Sequence, residues 1–147
     1  MNNQFMSSVS IVQVDWKQAQ EPLGFIRRTV FMAEQGVPEE LEWDGLDEGA
    51  VHLLAIDADK APIGTARMLD DGHIGRMAVL KSWRRQGVGS ALLLRLIEIA
   101  EQQDLRQVVL DAQLHVIGFY EAYGFVVCSD VFMDAGIPHK TMRRRLK

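Results

Sequence analysis

Hydrophobic and polar positions change their period several times along this chain, and each change marks an element. Ser8 to Val14 alternates, as a strand with one covered face does. Asp15 then stands as an N-cap for a helix over Trp16 to Glu34, which Gly36 and Pro38 end. Beyond a loop from Gly36 to Gly49, three strand-like stretches follow at Val51 to Asp57, Ile63 to Leu69 and Ile74 to Leu80. The turn signals Asp59-Lys60-Ala61-Pro62 and Asp70-Asp71-Gly72 separate them, which describes a meander. From Gly87 to Gln102 the spacing is helical. The polar residues Arg95, Glu98 and Gln102 fall on one stripe, so the remaining surface of that helix must be covered. Gln107 to Ala112 reads as a buried strand and Val116 to Tyr123 as a short helix ended by Gly124. Phe125 to Cys128 and Lys140 to Leu146 read as closing strands. A meander followed by strand-helix-strand-helix-strand predicts an α/β fold, with a mixed, mostly antiparallel central sheet and helices on both faces.

No repeat, low-complexity tract or linker divides the 147 residues, so a single domain over 1–147 is expected. The composition, 48% hydrophobic and 24% charged, is that of a globular protein, and the net charge of −4 argues against nucleic acid as a partner. No apolar run approaches the length of a membrane span, and Met1 to Ser10 carries neither the basic nor the apolar region of a leader. The single cysteine, Cys128, can form no intrachain disulfide, and its place in the run Phe125-Val126-Val127-Cys128 predicts burial. A reducing, cytoplasmic setting fits these features. A homodimer is neither required nor excluded.

The most informative stretch is Arg84-Arg85-Gln86-Gly87-Val88-Gly89-Ser90, between the strand ending at Leu80 and the helix. A strand feeding a glycine turn that opens a helix gathers unpaired backbone N–H groups and the positive end of the helix dipole at one point, which suits a phosphate. The glycines let main chain approach the anion, and Arg84 and Arg85 add guanidinium donors. Two common phosphate templates fail here: Leu92 stands where a dinucleotide fingerprint needs its third glycine, and no Gly-Lys-Ser/Thr ending is present.

What remains, Arg-x-x-Gly-x-Gly after a strand, resembles the acetyl-coenzyme-A signature of the GNAT N-acetyltransferase superfamily. Arg76-Met77-Ala78-Val79 is similar to that family's strand before the loop, and Phe119-Tyr120-Glu121-Ala122-Tyr123-Gly124-Phe125 to its helix-to-strand corner. The amino-terminal half resembles the ElaA-like members, through Val30-Phe31, Glu34-Gln35-Gly36-Val37-Pro38, Glu42, Asp44 and His52-Leu53-Leu54. Asp111-Ala112-Gln113 and Gly136-Ile137-Pro138-His139 with Met142 extend the likeness. The resemblance implies acetyl-CoA as co-substrate. Main chain from Arg85 to Ser90 (Arg85, Gln86, Gly87, Val88, Gly89, Ser90) would bind its pyrophosphate, and Met77, Ala78 and Val79 would hold its pantetheine arm. Phe119 and His115 would lie near that arm, although His115 departs from the asparagine that many members carry. Tyr120 takes the position of the family's general acid.

Acyl transfer gives physical reasons for these parts. An amine attacking a thioester develops negative charge on oxygen, which a fixed backbone N–H near Met77 or Val79 would stabilise if the strand is splayed from its neighbour. Gly75 is the expected marker of the bulge that splays it. The amide-bearing arm can then fill the gap as a substitute strand. A lysine-like acceptor with a pKa of about 10.4 is neutral in roughly one molecule in 2,500 at pH 7, a handicap near 4.6 kcal/mol, so some group must take its proton. Glu34, Glu42, Asp44 and His139 are candidates, and sequence alone does not rank them. Between Thr29 and Asp59 there is no Lys or Arg amid many carboxylates. That run is either a solvated acidic loop or an attraction for a cationic small-molecule amine. No metal is expected, since Asp44-Gly45-Leu46-Asp47 lacks the alternating oxygens of a calcium loop. His52 and His73 read as packing or surface residues. The carboxyl-terminal run His139, Lys140, Arg143, Arg144, Arg145, Lys147 reads as a charged edge strand. Two other functions stay open: a coenzyme-A-binding sensor without turnover, and an interaction module using the Gly36 to Gly49 loop.

Overall fold

The computed structural model describes residues 8–146, so the expectations placed on residues 1–7 and on Lys147 lie outside the described residues. Eight strands, β1 (Ser10–Val14), β2 (Val51–Ile56), β3 (Pro62–Met68), β4 (His73–Val79), β5 (Gln107–Gln113), β6 (Val126–Val127), β7 (Phe132–Asp134) and β8 (Ile137–Arg145), form one sheet. Their spatial order is β1-β2-β3-β4-β5-β8-β6, and β7 also pairs with β8. Every pairing is antiparallel except that of β4 with β5. The expected mixed, mostly antiparallel sheet is therefore what the chain builds.

Four α-helices complete it among the described residues: α1 (Trp16–Arg27), α2 (Glu39–Glu42), α3 (Val88–Gln102) and α4 (Ile117–Glu121). The two longer ones take opposite faces, and β2 shows why. Its side chains alternate with period 2. Leu53 and Ala55 enter the core that contains Leu92, Leu93 and Leu96 of α3, while Leu54 packs with Ala19 and Leu23 of α1. Leu92, Leu93 and Leu96 are fully buried, each contributing on the order of 1.5–3 kcal/mol. Gly64 of β3 brings α3 close: a Cβ there would lie 3.2 Å from the Ala78 carbonyl oxygen and 3.3 Å from Val88 Cγ1.

The expected helix over Trp16 to Glu34 is present but not uniform. Ala19 leaves helical geometry (φ −117°, ψ 19°), which lets Pro22 fall in the first turn of the resumed helix, where its missing N–H and its ring are tolerated. From Arg28 to Glu34 the backbone widens into a π-helix, and the Gln35 N–H reaches the Val30 carbonyl. The expected loop carries the short α2, and β7 was not foreseen. Cys128 needs correcting: it is exposed, because β6 spans only two residues and its apolar run continues into an edge that β8 alone supports.

Two irregularities of β4 create the site. It pairs with β5 only through His73↔Val109 and Ile74↔Leu110, and beyond these the strands part. Against β3, the pairs Thr65↔Ala78 and Arg67↔Gly75 leave Arg76 and Met77 together opposite Ala66, a β-bulge. The left-handed residue there is Arg76 (φ 51°), not Gly75, so the expected position is corrected by one residue.

Candidate active site

A cleft of about 1000 Å³ opens where β4 and β5 part. One end is the start of α3. Gly87 supplies the N-cap in the left-handed conformation (φ 86°) and no side chain caps the helix. The first intrahelical bond from the cap is Ala91 N–H to the Gly87 carbonyl, 3.0 Å, which leaves the N–H groups of Val88, Gly89 and Ser90 without an intrahelical acceptor. Ser90 is held by the Tyr123 hydroxyl, which donates to its Oγ at 2.7 Å. Sequence reasoning did not assign Tyr123 this contact, although its place in the turn that follows α4 and precedes Gly124 was visible. Val88 contributes main chain only, its side chain being buried in the core. Gln86 turns its amide to the Ser82 carbonyl.

The two arginines of this turn differ. Arg85 is exposed and left-handed (φ 63°). Arg84 donates from Nε to the Val79 carbonyl at 2.8 Å, and from both terminal nitrogens to Glu34 at 2.6 and 2.7 Å. Its fork therefore joins the phosphate-type turn to the end of the π-helix, and the hydrogen bonds from Arg84 hold the Glu34 carboxyl below its usual range.

Further along the cleft, the Tyr120 hydroxyl donates to Met77 Sδ at 3.7 Å, and burial pushes its pKa up to about 12. Phe119 packs edge-on to Tyr120, and a Cβ on Gly89 would lie 3.8 Å from its ring. His115 is exposed at the cleft wall. His139, buried on β8 opposite Gln113 of β5, has Nδ1 2.6 Å from the Ile137 carbonyl and stacks on Phe132. Gln113 in turn donates its amide to Gln35 Oε1 at 3.1 Å. The cleft thus gathers Met77, Ala78, Val79, Glu34, Glu42, Arg84, Arg85, Gly87, Gly89, Ser90, His115, Phe119, Tyr120 and His139. Asp44 does not line it.

Asp44 belongs instead to a cluster that sequence reasoning missed. Arg27 is buried with its guanidinium 5.4 Å from the Trp16 ring and 4.9 Å from the Trp43 ring. It donates to Glu42 Oε2 and to Asp47 Oδ1, both at 2.7 Å. Arg67 pairs with Asp44 at 2.8 Å and with Asp47 at 3.0 Å, and Arg76 with Asp44 at 3.0 Å. Burial is the largest single influence and would raise the pKa of Asp44 and of Asp47, but the hydrogen bonds and Coulombic attraction of the surrounding arginines (Arg67 and Arg76 for Asp44, Arg27 and Arg67 for Asp47), with the Leu46 N–H on Asp44, together outweigh it and hold both below the usual carboxylate value. His52 sits beneath, stacked on Trp16 with Nε2 2.8 Å from the Asp47 carbonyl, and burial pushes its pKa down. The acidic run is therefore largely paired internally rather than a free cationic receptor. A signal existed: Arg27 and Arg67 interrupt otherwise apolar windows, where an arginine needs partners.

The sequence pattern of the acetyltransferase (GNAT) domain matches residues 13–146. The chain belongs to the GNAT family. Among its relatives, this GNAT is 37% identical over 124 residues to Bacillus subtilis YjcF, an uncharacterized N-acetyltransferase, covering 82% of this chain and 88% of that protein. Escherichia coli ElaA is 32% identical over 129 residues, covering 82% of this chain and 84% of ElaA. The crystal structure of ElaA superposes with a TM-score of 0.82 over 92% of this chain and 99% of that one, at 28% identity. An acyl-CoA N-acyltransferase from Pseudomonas aeruginosa does so with a TM-score of 0.84, at 33% identity, over 93% and 99% of the two chains. The ElaA-like resemblance is thus supported in both sequence and fold. Acyl transfer from a coenzyme-A-linked donor is the chemistry that the GNAT family and these N-acyltransferase neighbours support. No helix among the described residues is long and apolar enough to cross a membrane.

Proposed function

We propose that this GNAT transfers an acetyl group from acetyl-CoA to a primary amine by direct attack within a ternary complex. The observation that carries the reading is the parting of β4 from β5 directly beside the uncapped start of α3. The three open N–H groups of Val88, Gly89 and Ser90 suit a diphosphate, and the main chain of Met77 to Val79 suits the amides of the pantetheine arm. The acceptor nitrogen attacks the thioester carbon, and charge growing on the carbonyl oxygen is stabilised by the main-chain N–H of Met77. The C–S bond then breaks, and the Tyr120 hydroxyl donates a hydrogen bond to the departing sulfur.

Among the candidate bases, Glu34 and Asp44 are held in ion pairs that lower their basicity, and Glu42 already meets two arginines. His139 is held by no such pair among the described residues. Donation of its Nδ1–H to the Ile137 carbonyl fixes the tautomer and leaves Nε2 as the basic nitrogen, so His139 takes the ammonium proton directly or through one water. Cys128 is exposed on the β6 edge and takes no part in the cleft, which supports direct attack over a covalent intermediate.

Replacing Gly87 and Gly89 together by valine tests the cradle: circular dichroism should show a folded chain, and calorimetry should show no binding of acetyl-CoA. A folded double variant that binds acetyl-CoA as the parent does would overturn the assignment. An amine panel read by free-thiol release then identifies the acceptor class.

A further inference from the structure

Arg76 has a backbone conformation that its side chain does not favour. Its φ of 51° lies in the left-handed region, where a Cβ crowds the neighbouring carbonyl, and it occupies the first position of the bulge. Such a conformation persists where the surroundings over-determine it. Here the surroundings are the loop around α2. Arg76 Nη2 donates to the Glu42 carbonyl at 3.0 Å and to Asp44 Oδ2 at 3.0 Å, and Nε lies 2.9 Å from Glu42 Oε2 without its N–H aimed at that oxygen. These anchors are themselves fixed. Glu42 Oε2 accepts from the buried Arg27, and both oxygens of Asp44 accept from Arg67. The guanidinium is thus tied to a rigid cluster while the backbone of the same residue starts the bulge. The next residue, Met77, carries the sulfur that receives the Tyr120 hydroxyl, on the stretch of β4 that faces the parted side.

We propose that Arg76 is a positioning residue: Glu42 and Asp44 hold it left-handed, and this aims the Met77 peptide into the cleft. The acidic loop then sets the rate of acyl transfer without its carboxylates touching the reacting atoms. The inference rests on the reading that the Met77 N–H serves the thioester oxygen.

The test compares Arg76→Ala with Arg76→Gly, because alanine keeps the penalty at positive φ and glycine removes it, while both lose the tether. Arg76→Ala should lower kcat about 100-fold, the scale of losing one such donor, with the Kd for free coenzyme A unchanged within about threefold. Arg76→Gly should recover at least about tenfold of that loss. In 15N-labelled protein the Met77 amide resonance should move in Arg76→Ala and return toward the parent position in Arg76→Gly. A merely structural role predicts equal damage in both variants and no recovery with glycine. Equal kcat in the two variants, or a Met77 resonance unmoved in Arg76→Ala, overturns the proposal. The resonance decides the point even if the parent chain acetylates no amine, whereas a parent that neither binds coenzyme A nor turns over would sink the proposed function instead. If Arg76→Ala does not fold, Asp44→Ala replaces it: kcat should fall several-fold with coenzyme A affinity kept, and an unchanged kcat refutes the positioning role.

Discussion

Replacing Tyr120 by phenylalanine removes one oxygen from the cleft, and the structure sets the size of the effect. Burial holds the phenol at a pKa of about 12, whereas an ordinary thiol titrates near 8.5. Complete transfer of the phenolic proton to the departing thiolate is therefore uphill, by on the order of 5 kcal/mol. In the proposed mechanism Tyr120 serves instead as a hydrogen-bond donor to developing negative charge on sulfur, an interaction worth ~1.5–3 kcal/mol. Tyr120→Phe should accordingly lower kcat roughly 10- to 150-fold, by the same conversion of free energy to rate. The hydroxyl's partner in the free protein is the Met77 sulfur at 3.7 Å, a weak acceptor, so the substitution should cost less than about 1 kcal/mol of stability. Free-thiol release gives kcat, calorimetry gives the coenzyme A affinity, and a thermal melt gives the stability. A kcat within threefold of the parent removes Tyr120 from the mechanism. A parallel loss of coenzyme A affinity makes it a packing residue, and a loss beyond about 1000-fold would show that the proton is fully transferred, against the argument from the pKa values.

Arg27→Met strips a buried carboxylate pair of its shared cation. Breaking such a cluster costs about 3–5 kcal/mol, which should lower the melting temperature by about 10 °C, and a drop under 3 °C would show that the cluster does not anchor the loop. The pH dependence of stability has a definite sign. His52 titrates below its usual 6.5 in the folded chain, so the unfolded chain binds the extra proton first and stability declines as pH falls below about 6.5. Asp44 and Asp47, also depressed, extend the loss as pH falls below about 3.8. Thermal melts from pH 8 to 3 read this, His52→Gln should flatten the upper part, and stability rising between pH 7 and 5 would contradict it. Glu34→Gln releases the Arg84 fork toward a bound diphosphate, so acetyl-CoA should bind about two- to fivefold more tightly, as expected for losing an exposed competing ion pair. Weaker binding in calorimetry would show that Glu34 orients Arg84 rather than competing for it.

Much of this architecture could be read from residue spacing because it depends on short-range patterning. The apolar stretch Val51 to Ile56 and the helical spacing of Val88 to Gln102 mark elements that must be covered, and the structure buries Leu53, Leu54 and Ala55 of the one and Leu92, Leu93 and Leu96 of the other. Gly87 was readable as a turn because only a residue without Cβ takes its φ of 86° freely. Arg76 was not readable, since its left-handed backbone is imposed by Glu42 and Asp44, more than thirty residues earlier. Gly75 next to it offered a more economical explanation that proved one residue away. The π-helix over Arg28 to Glu34 was equally hidden, because widening by one residue per turn leaves no mark on so short a stretch of side chains. Cys128 was misplaced for the opposite reason: local apolarity suggested a core strand, while the actual pairing, two residues against β8, leaves it at an edge.

The charge pattern shows how far composition can mislead about a ligand. A stretch with many carboxylates and no Lys or Arg suggests attraction for a cationic acceptor, yet three of those carboxylates, Glu42, Asp44 and Asp47, face three arginines brought in from α1, β3 and β4. Glu34 faces Arg84, and Glu48 faces Lys17. Arginine suits this work because a planar fork can serve two carboxylates at once and stack between indole rings, as Arg27 does. Charges neutralised in this way hold a loop against a sheet and exert little field on a substrate. In the proposed reaction, recognition of the acceptor falls to the cleft's remaining surface, where Asp111 and Asp134 have no ion-pair partner among the described residues and His139 is close at hand on β8.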